Sequence, residues 1–191
     1  MGPFEFIILF FSFIYTLALT HLLFAITRMI RHRRSLVFSW PHALWMLNAL
    51  LLLCTNWISL WDFHRFDTMP LAAIAFGFVL VIGQYFVCAL VTPDFEDGDS
   101  FDLRAFHERE GRTYLLTFLV LILFALVANA AALAAGVQAW ANENWAVLAM
   151  TPPVILALTV RARWAQILAP LVLVALMVAV LVVYYPALTR G

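Results

Sequence analysis

The sequence predicts an all-α, polytopic membrane protein: a six-transmembrane-helix bundle with a short cytoplasmic interfacial helix. Three observations lead there. Of 191 residues, 65% are hydrophobic and only 12% are charged, about half the charged share of an ordinary soluble domain. Apolar runs of roughly 20 residues, the span of a bilayer's hydrocarbon core, recur along the whole chain. The basic residues gather in alternate connections between those runs. A water-soluble globule is excluded, because a core of this size would lack the polar shell that keeps it dispersed.

The runs cover residues 4–27, 40–61, 70–92, 113–137, 145–160 and 164–185, within one domain spanning 1–191. Barrel strands alternate and need only about 10 residues each. These runs are longer and continuously apolar, and in lipid a helix satisfies its backbone groups within its own segment. The first run follows Met1-Gly2-Pro3-Phe4-Glu5, which lacks the positive start of a secretory signal; no small-residue cleavage site follows, so the run is expected to stay as a helix. Ser39 with Pro41 reads as a cap and a first-turn proline for the second helix, and Pro70 after Asp67-Thr68 opens the third. Asp94 to Ser100 reads as an acidic turn. Asp99 with Asp102 resembles a capping pair for the interfacial helix at 100–110, which would dip Phe101, Leu103 and Phe106 toward lipid or the bundle. Pro152 and Pro153 in the fifth run and Pro170 in the sixth predict kinks.

Orientation follows from arginine, since the 11 basic residues include no lysine. With the N-terminus outside, Arg28, Arg31, Arg33, Arg34, Arg104, Arg109, Arg112, Arg161 and Arg163 are cytoplasmic, against Arg65 and Arg190 outside; this bias sets both termini in the periplasm. A net charge of zero and the lack of a broad cationic face leave no basis for nucleic-acid binding. Cys54 and Cys88 fall at different depths within apolar runs, too far apart for the ~5.5 Å Cα spacing of a disulfide.

Polar groups inside the spans are the informative ones, because lipid makes each costly unless partnered. His21 is the one core group ionisable near neutral pH. At ~1.5 Å rise per residue, His21 comes level with Asn48 of the second helix, and Gln84 of the third falls in nearly the same layer. His21, Asn48 and Gln84, with Trp45 alongside, form the candidate binding cluster. Asn56 and Asn129 are expected together in the outer third. Trp45, Asn48, Thr55, Asn56, Ser59 and Asp62 share one face of the second helix, which should look into the bundle, with Trp57 and Trp61 opposite. Such groups read as helix-to-helix glue, or as a polar pocket sensing protons or a small ligand through His21.

At the inner boundary, Trp40-Pro41-His42 reads as an interfacial helix start. A second reading makes His42 with Arg31, Arg33 and Arg34 an anion or headgroup site near a helix N-terminus. Proton pumping is disfavoured, because no Asp, Glu, Lys or Arg lies within the span cores. Haem is disfavoured because His21 has no second core histidine, with His32, His42 and His64 at edges or outside. No cofactor and no metal is expected: Gly98 is misplaced for a calcium loop, and His107-Glu108-Arg109-Glu110 does not complete a zinc motif. No phosphate loop or Ser/His/Asp set occurs. Ala128, Ala131, Ala132 and Ala135, and Ala73 with Gly77, are small-residue faces for packing within the bundle, against a protein partner or in a homo-oligomer.

Thr20-His21-Leu22-Leu23, Arg28, the Arg31-His32-Arg33-Arg34 turn, Trp40-Pro41-His42-Ala43-Leu44-Trp45, Trp57, Trp61 and Asp102-Leu103-Arg104 together resemble a family of small bacterial polytopic inner-membrane proteins. The resemblance covers approximately residues 5 to 115, and the rest matches in hydropathy only. It implies a bacterial cytoplasmic membrane and no catalytic activity, and it draws attention to His21, Trp40, Pro41, His42 and Trp45. The expected function is an accessory or interaction subunit or a small membrane sensor. A channel or transporter working through the His21 cluster, and a lipid-headgroup enzyme using His42, are the alternatives.

Overall fold

The computed structural model describes residues 3–61, 70–94 and 101–185, and it is almost entirely helical. Helix α1 spans Pro3–Arg31, α2 Trp40–Ser59, α3 Leu71–Val91, α4 Leu103–Ala128, α5 Val137–Glu143, α6 Trp145–Thr159 and α7 Arg163–Tyr184, with a 3-10 turn over Ala130–Ala135. Five of these (α1, α2, α3, α4 and α7) are long and apolar enough to cross a membrane, and α6 is a shorter apolar helix. Their hydroxyls fit a medium without water: Ser12, Thr16, Thr27, Thr117 and Thr159 each donate to the carbonyl four residues back in their own helix. The large side chains that remain exposed, Phe6, Phe13, Leu17 and Phe24 among them, match a hydrocarbon solvent.

The packing order explains the shape of the interior. Helix α3 packs on α4, α4 on α6, α6 on α7, α7 on α2 and α2 on α3, closing a ring of five. Helix α1 stands outside that ring, mainly against α3. Gly77 makes this approach possible, since a Cβ there would sit 3.0 Å from the Phe11 ring of α1. Gly83 does the same toward α4, where a Cβ would come within 2.3 Å of Leu121 Cδ2.

The arginine-bearing connections meet at one end of the bundle. A two-residue parallel strand pair, β1 (Leu36–Val37) and β2 (Phe101–Asp102), joins the turn after α1 to the start of α4. A hydrogen bond between the side chains of His107 and Gln166 brings the start of α7 to the same end. At the opposite end, Asn129 Nδ2 donates to Asn144 Oδ1 at 2.8 Å, and the Trp145 indole donates to the Tyr184 hydroxyl.

Several expectations need correction. The helix expected over 113–137 ends at Ala128. Asn129 turns back to Asn144, and Gly136 takes φ 105°, a region that favours glycine. The alanine ladder is thereby divided, because Ala130–Ala135 is a 3-10 turn without α-helical periodicity. The interfacial helix expected over 100–110 is not separate: α4 begins at Leu103 and runs unbroken to Ala128. Its cap is Asp102, whose carboxylate accepts from the backbone N–H of Arg104 and Ala105. Ser39 occupies the expected cap position of α2, ahead of the first-turn proline, but makes no side-chain cap bond. The prolines expected inside the fifth and sixth runs, Pro152, Pro153 and Pro170, do lie within α6 and α7. Asp62, His64, Arg65, Asp67, Thr68, residues 95–100 of the acidic turn with Gly98, Asp99 and Ser100, and Arg190 lie outside the described residues.

Candidate functional site

The ring encloses a cavity of about 150 Å³ in the half away from the arginines, lined by side chains of α2, α3, α4, α6 and α7 and by none from α1. Its walls are mostly aliphatic, with Thr55, Asn56 and Gln84 as the polar exceptions. The Asn56 amide donates to Leu52 O of its own helix. Thr55 Oγ1 and Gln84 Oε1 are buried without a hydrogen-bond partner, so they offer a donor-acceptor hydroxyl and an amide acceptor to whatever occupies the space. No ionisable residue lines this cavity, which suits a small uncharged molecule.

The sequence-predicted cluster is distributed rather than joined. Asn48 is fully buried, and its amide donates to Leu44 O at 2.9 Å and to Pro170 O at 3.0 Å. It therefore couples α2 to α7, not to α1. Gln84 is 3% exposed and faces the central cavity. His21 is half-buried on α1 and makes no hydrogen bond with Asn48 or Gln84. The physical reason is the packing order: a common depth places residues in one layer, but α1 lies outside the ring whose interior Asn48 faces. Asn56 and Asn129 are likewise not hydrogen-bonded to each other; Asn56 donates to Leu52 O and Asn129 to Asn144 Oδ1. On the second helix Trp45 and Asn48 are buried and Trp57 is exposed, as expected, whereas Trp61, expected beside Trp57, is half-buried.

Below the cavity, toward the arginine end, aromatic side chains fill the axis. Trp45, Tyr114 and Phe118 are each at most 1% exposed. The Trp45 ring lies 5.6 Å from Phe118 and 6.5 Å from Tyr114. His42 belongs to the same layer: it is completely buried, edge-on to Phe106 at 5.2 Å and to Tyr114 at 6.4 Å. Neither His42 ring nitrogen nor Trp45 Nε1 has a hydrogen-bond partner. This burial separates His42 from Arg31, Arg33 and Arg34, which are exposed on the turn. The headgroup site drawn through all four residues is not assembled, because the first turn of α2 points His42 inward against α4. Beside that turn, Arg33 borders an apolar groove of about 410 Å³ between α1 and α2, lined by Ile26, Met29 and Leu47.

The polar assembly that sequence reasoning missed centres on His107. Gln166 Nε2 donates to Ala157 O and to Val160 O, both at 2.8 Å. These bonds satisfy two carbonyls at the end of α6 that the helix leaves open. They also fix the amide orientation, so Oε1 faces His107 Nε2 and accepts its N–H at 3.1 Å. On the other side of the imidazole, Nδ1 is hydrogen-bonded to the Tyr114 hydroxyl. Tyr114, His107 and Gln166 thus run from the aromatic layer to the α6–α7 connection. They flank a recess of about 360 Å³ lined by Glu108, Gly111, Arg112, Leu115, Leu158 and Arg161 among others. One local signal pointed here: His107 lies one helical turn from Gly111 and two from Tyr114.

Among the described residues, no group of three or more His, Cys, Asp or Glu is placed to hold a metal ion. No family model, curated protein or solved structure matches the chain.

Proposed function

We infer that this chain is a six-crossing protein of the bacterial cytoplasmic membrane, with both termini periplasmic, that serves as a small sensor or accessory subunit and not as a conduit. The aromatic layer carries this reading. Ion or proton passage uses a line of polar groups between the two faces. Here the central cavity and the arginine-end recess are separated by the layer of Trp45, Tyr114 and Phe118, in which His42 is buried without a hydrogen-bond partner.

The membrane assignment rests on five full-length apolar helices and on the gathering of arginines at one end, which the positive-inside bias puts in the cytoplasm. The sixth crossing is α6. Its 15 residues extend only about 22 Å, yet Asn144 ties its start to the end of α4, and Gln166 ties its last turn to His107 near the start of α4. The charged first turns of α4 lie at headgroup level on the inner face.

The test is reconstitution into sealed liposomes with a trapped pH dye and, separately, with a potassium gradient. Flux no greater than that of empty vesicles is expected. Flux above that level, abolished when Ala125→Trp fills the central cavity, overturns the reading in favour of a channel or transporter.

A further inference from the structure

The recess between α4, α6 and α7 is a built pocket with uncompensated positive charge. Two of the arginines on α4 are neutralised locally: Arg104 Nε pairs with Glu108 at 3.0 Å and Arg109 Nε with Glu110 at 2.9 Å. Among the described residues, Arg112 and Arg161, which line the recess, have no hydrogen-bond or ion-pair partner. They come from different helical connections, α4 and the α6–α7 link, and meet here because Gln166 and His107 hold those connections together. All of the strong donors and acceptors of Gln166 and His107 are used within the protein. The pair therefore forms a rigid floor and leaves ligand contact to the guanidiniums. Gly111 completes the floor, since a Cβ there would sit 3.3 Å from the His107 ring.

We propose that this recess binds a phosphate group, presented by an anionic phospholipid headgroup or by a free phosphate ester, between Arg112 and Arg161. Guanidinium forks match phosphate oxygens and form charge-assisted hydrogen bonds about twice as strong as neutral ones. The volume, about 360 Å³, falls at the lower end of small-molecule pockets. Leu115, Ala157 and Leu158 form an apolar wall against which a glycerol backbone and the root of an acyl chain can lie. Glu108 also lines the recess. With Arg104 bonded to one of its oxygens, the other accepts from a headgroup hydroxyl and selects ligands that carry one. The site holds for a sensor and for a transporter alike.

The experiment uses the full chain, purified and delipidated in dodecyl maltoside, with thermal unfolding as the readout. Phosphatidylglycerol in mixed micelles is expected to raise Tm by on the order of 5 °C, and phosphatidylcholine is expected to leave it unchanged. Arg112→Gln and Arg161→Gln are each expected to weaken the response on the order of ten-fold in lipid concentration, and the double variant to abolish it. Arg109→Gln, outside the recess, keeps the full response. Inorganic phosphate at constant ionic strength separates the two sources: a matching, arginine-dependent rise assigns the site to soluble phosphate esters, and a rise with phosphatidylglycerol alone assigns it to lipid. No shift with either probe, or a double variant that responds like the parent, overturns the proposal. Native mass spectrometry of retained phosphatidylglycerol gives the same comparison without unfolding.

Discussion

The side-chain amide of Asn48 donates to the main-chain carbonyl of Pro170 at 3.0 Å, joining residues 122 positions apart. This bond sits where α2 meets α7, the contact that closes the ring. Replacing Asn48 with Ala removes it and is expected to lower stability by about 1 to 2 kcal/mol. Asn56→Ala loses only a bond to Leu52 of the same helix and is expected to cost roughly 0.5 kcal/mol. Parallel thermal melts in one detergent check the order; equal losses would remove the bond's special role.

His21 supplies a contrasting expectation. It is half-buried on the helix outside the ring and has no hydrogen-bond partner among the described residues. His21→Leu is therefore expected to change stability by no more than about 0.5 kcal/mol. A loss as large as that of Asn48→Ala would mean that His21 contributes to the interior after all.

Gly83→Ala forces a methyl to within 2.3 Å of Leu121 Cδ2 at the α3–α4 contact, and overpacking of this kind costs about 1 to 3 kcal/mol. Leu121→Ala on the same chain vacates that volume. The double variant is expected to be less destabilised than the sum of the two single variants, a non-additivity that a four-member melt series measures directly.

Gln166→Leu deprives Ala157 O, Val160 O and His107 Nε2 of their partner. The expected loss is roughly 2 to 3 kcal/mol, since unsatisfied buried groups cost more than a bond is worth. Gln166→Glu keeps the acceptor toward His107 but cannot donate to the two carbonyls. Its melting point should lie between those of the parent and Gln166→Leu.

Orientation is open to direct labelling. Ser35→Cys, exposed on the arginine turn, should react with a membrane-impermeant maleimide only after the membrane is permeabilised. Native Cys88 is buried and native Cys54 lies on a membrane-crossing helix, so the parent protein is the low-background control. Labelling of Ser35→Cys in intact cells would reverse the assignment of faces.

The parts of this architecture that follow from local chemistry were legible in the sequence. Helix starts at Trp40, Leu71, Trp145 and Arg163 fall within a residue of where proline, tryptophan or charge interrupts an apolar run. The break after Ala128 was not legible, because an alanine-rich stretch is as apolar as the helix before it and the bond that turns the chain joins Asn129 to a residue 15 positions on. The His21 layer failed for a related reason: rise per residue gives depth, but azimuth and the identity of the neighbouring helix come from the ring. The His107 assembly depends on Gln166, 59 positions away, and no local pattern announces such a partner.

The strand pair at the arginine end has a consequence for how the protein comes together. Leu36 and Phe101 meet only after the intervening polypeptide has travelled to the far end and returned, so their union encircles α2 and α3 entire. Closing so long a loop is entropically unfavourable until both helices are seated. The ribbon is thus expected to close late, and it ties the first two arginine-bearing connections to each other.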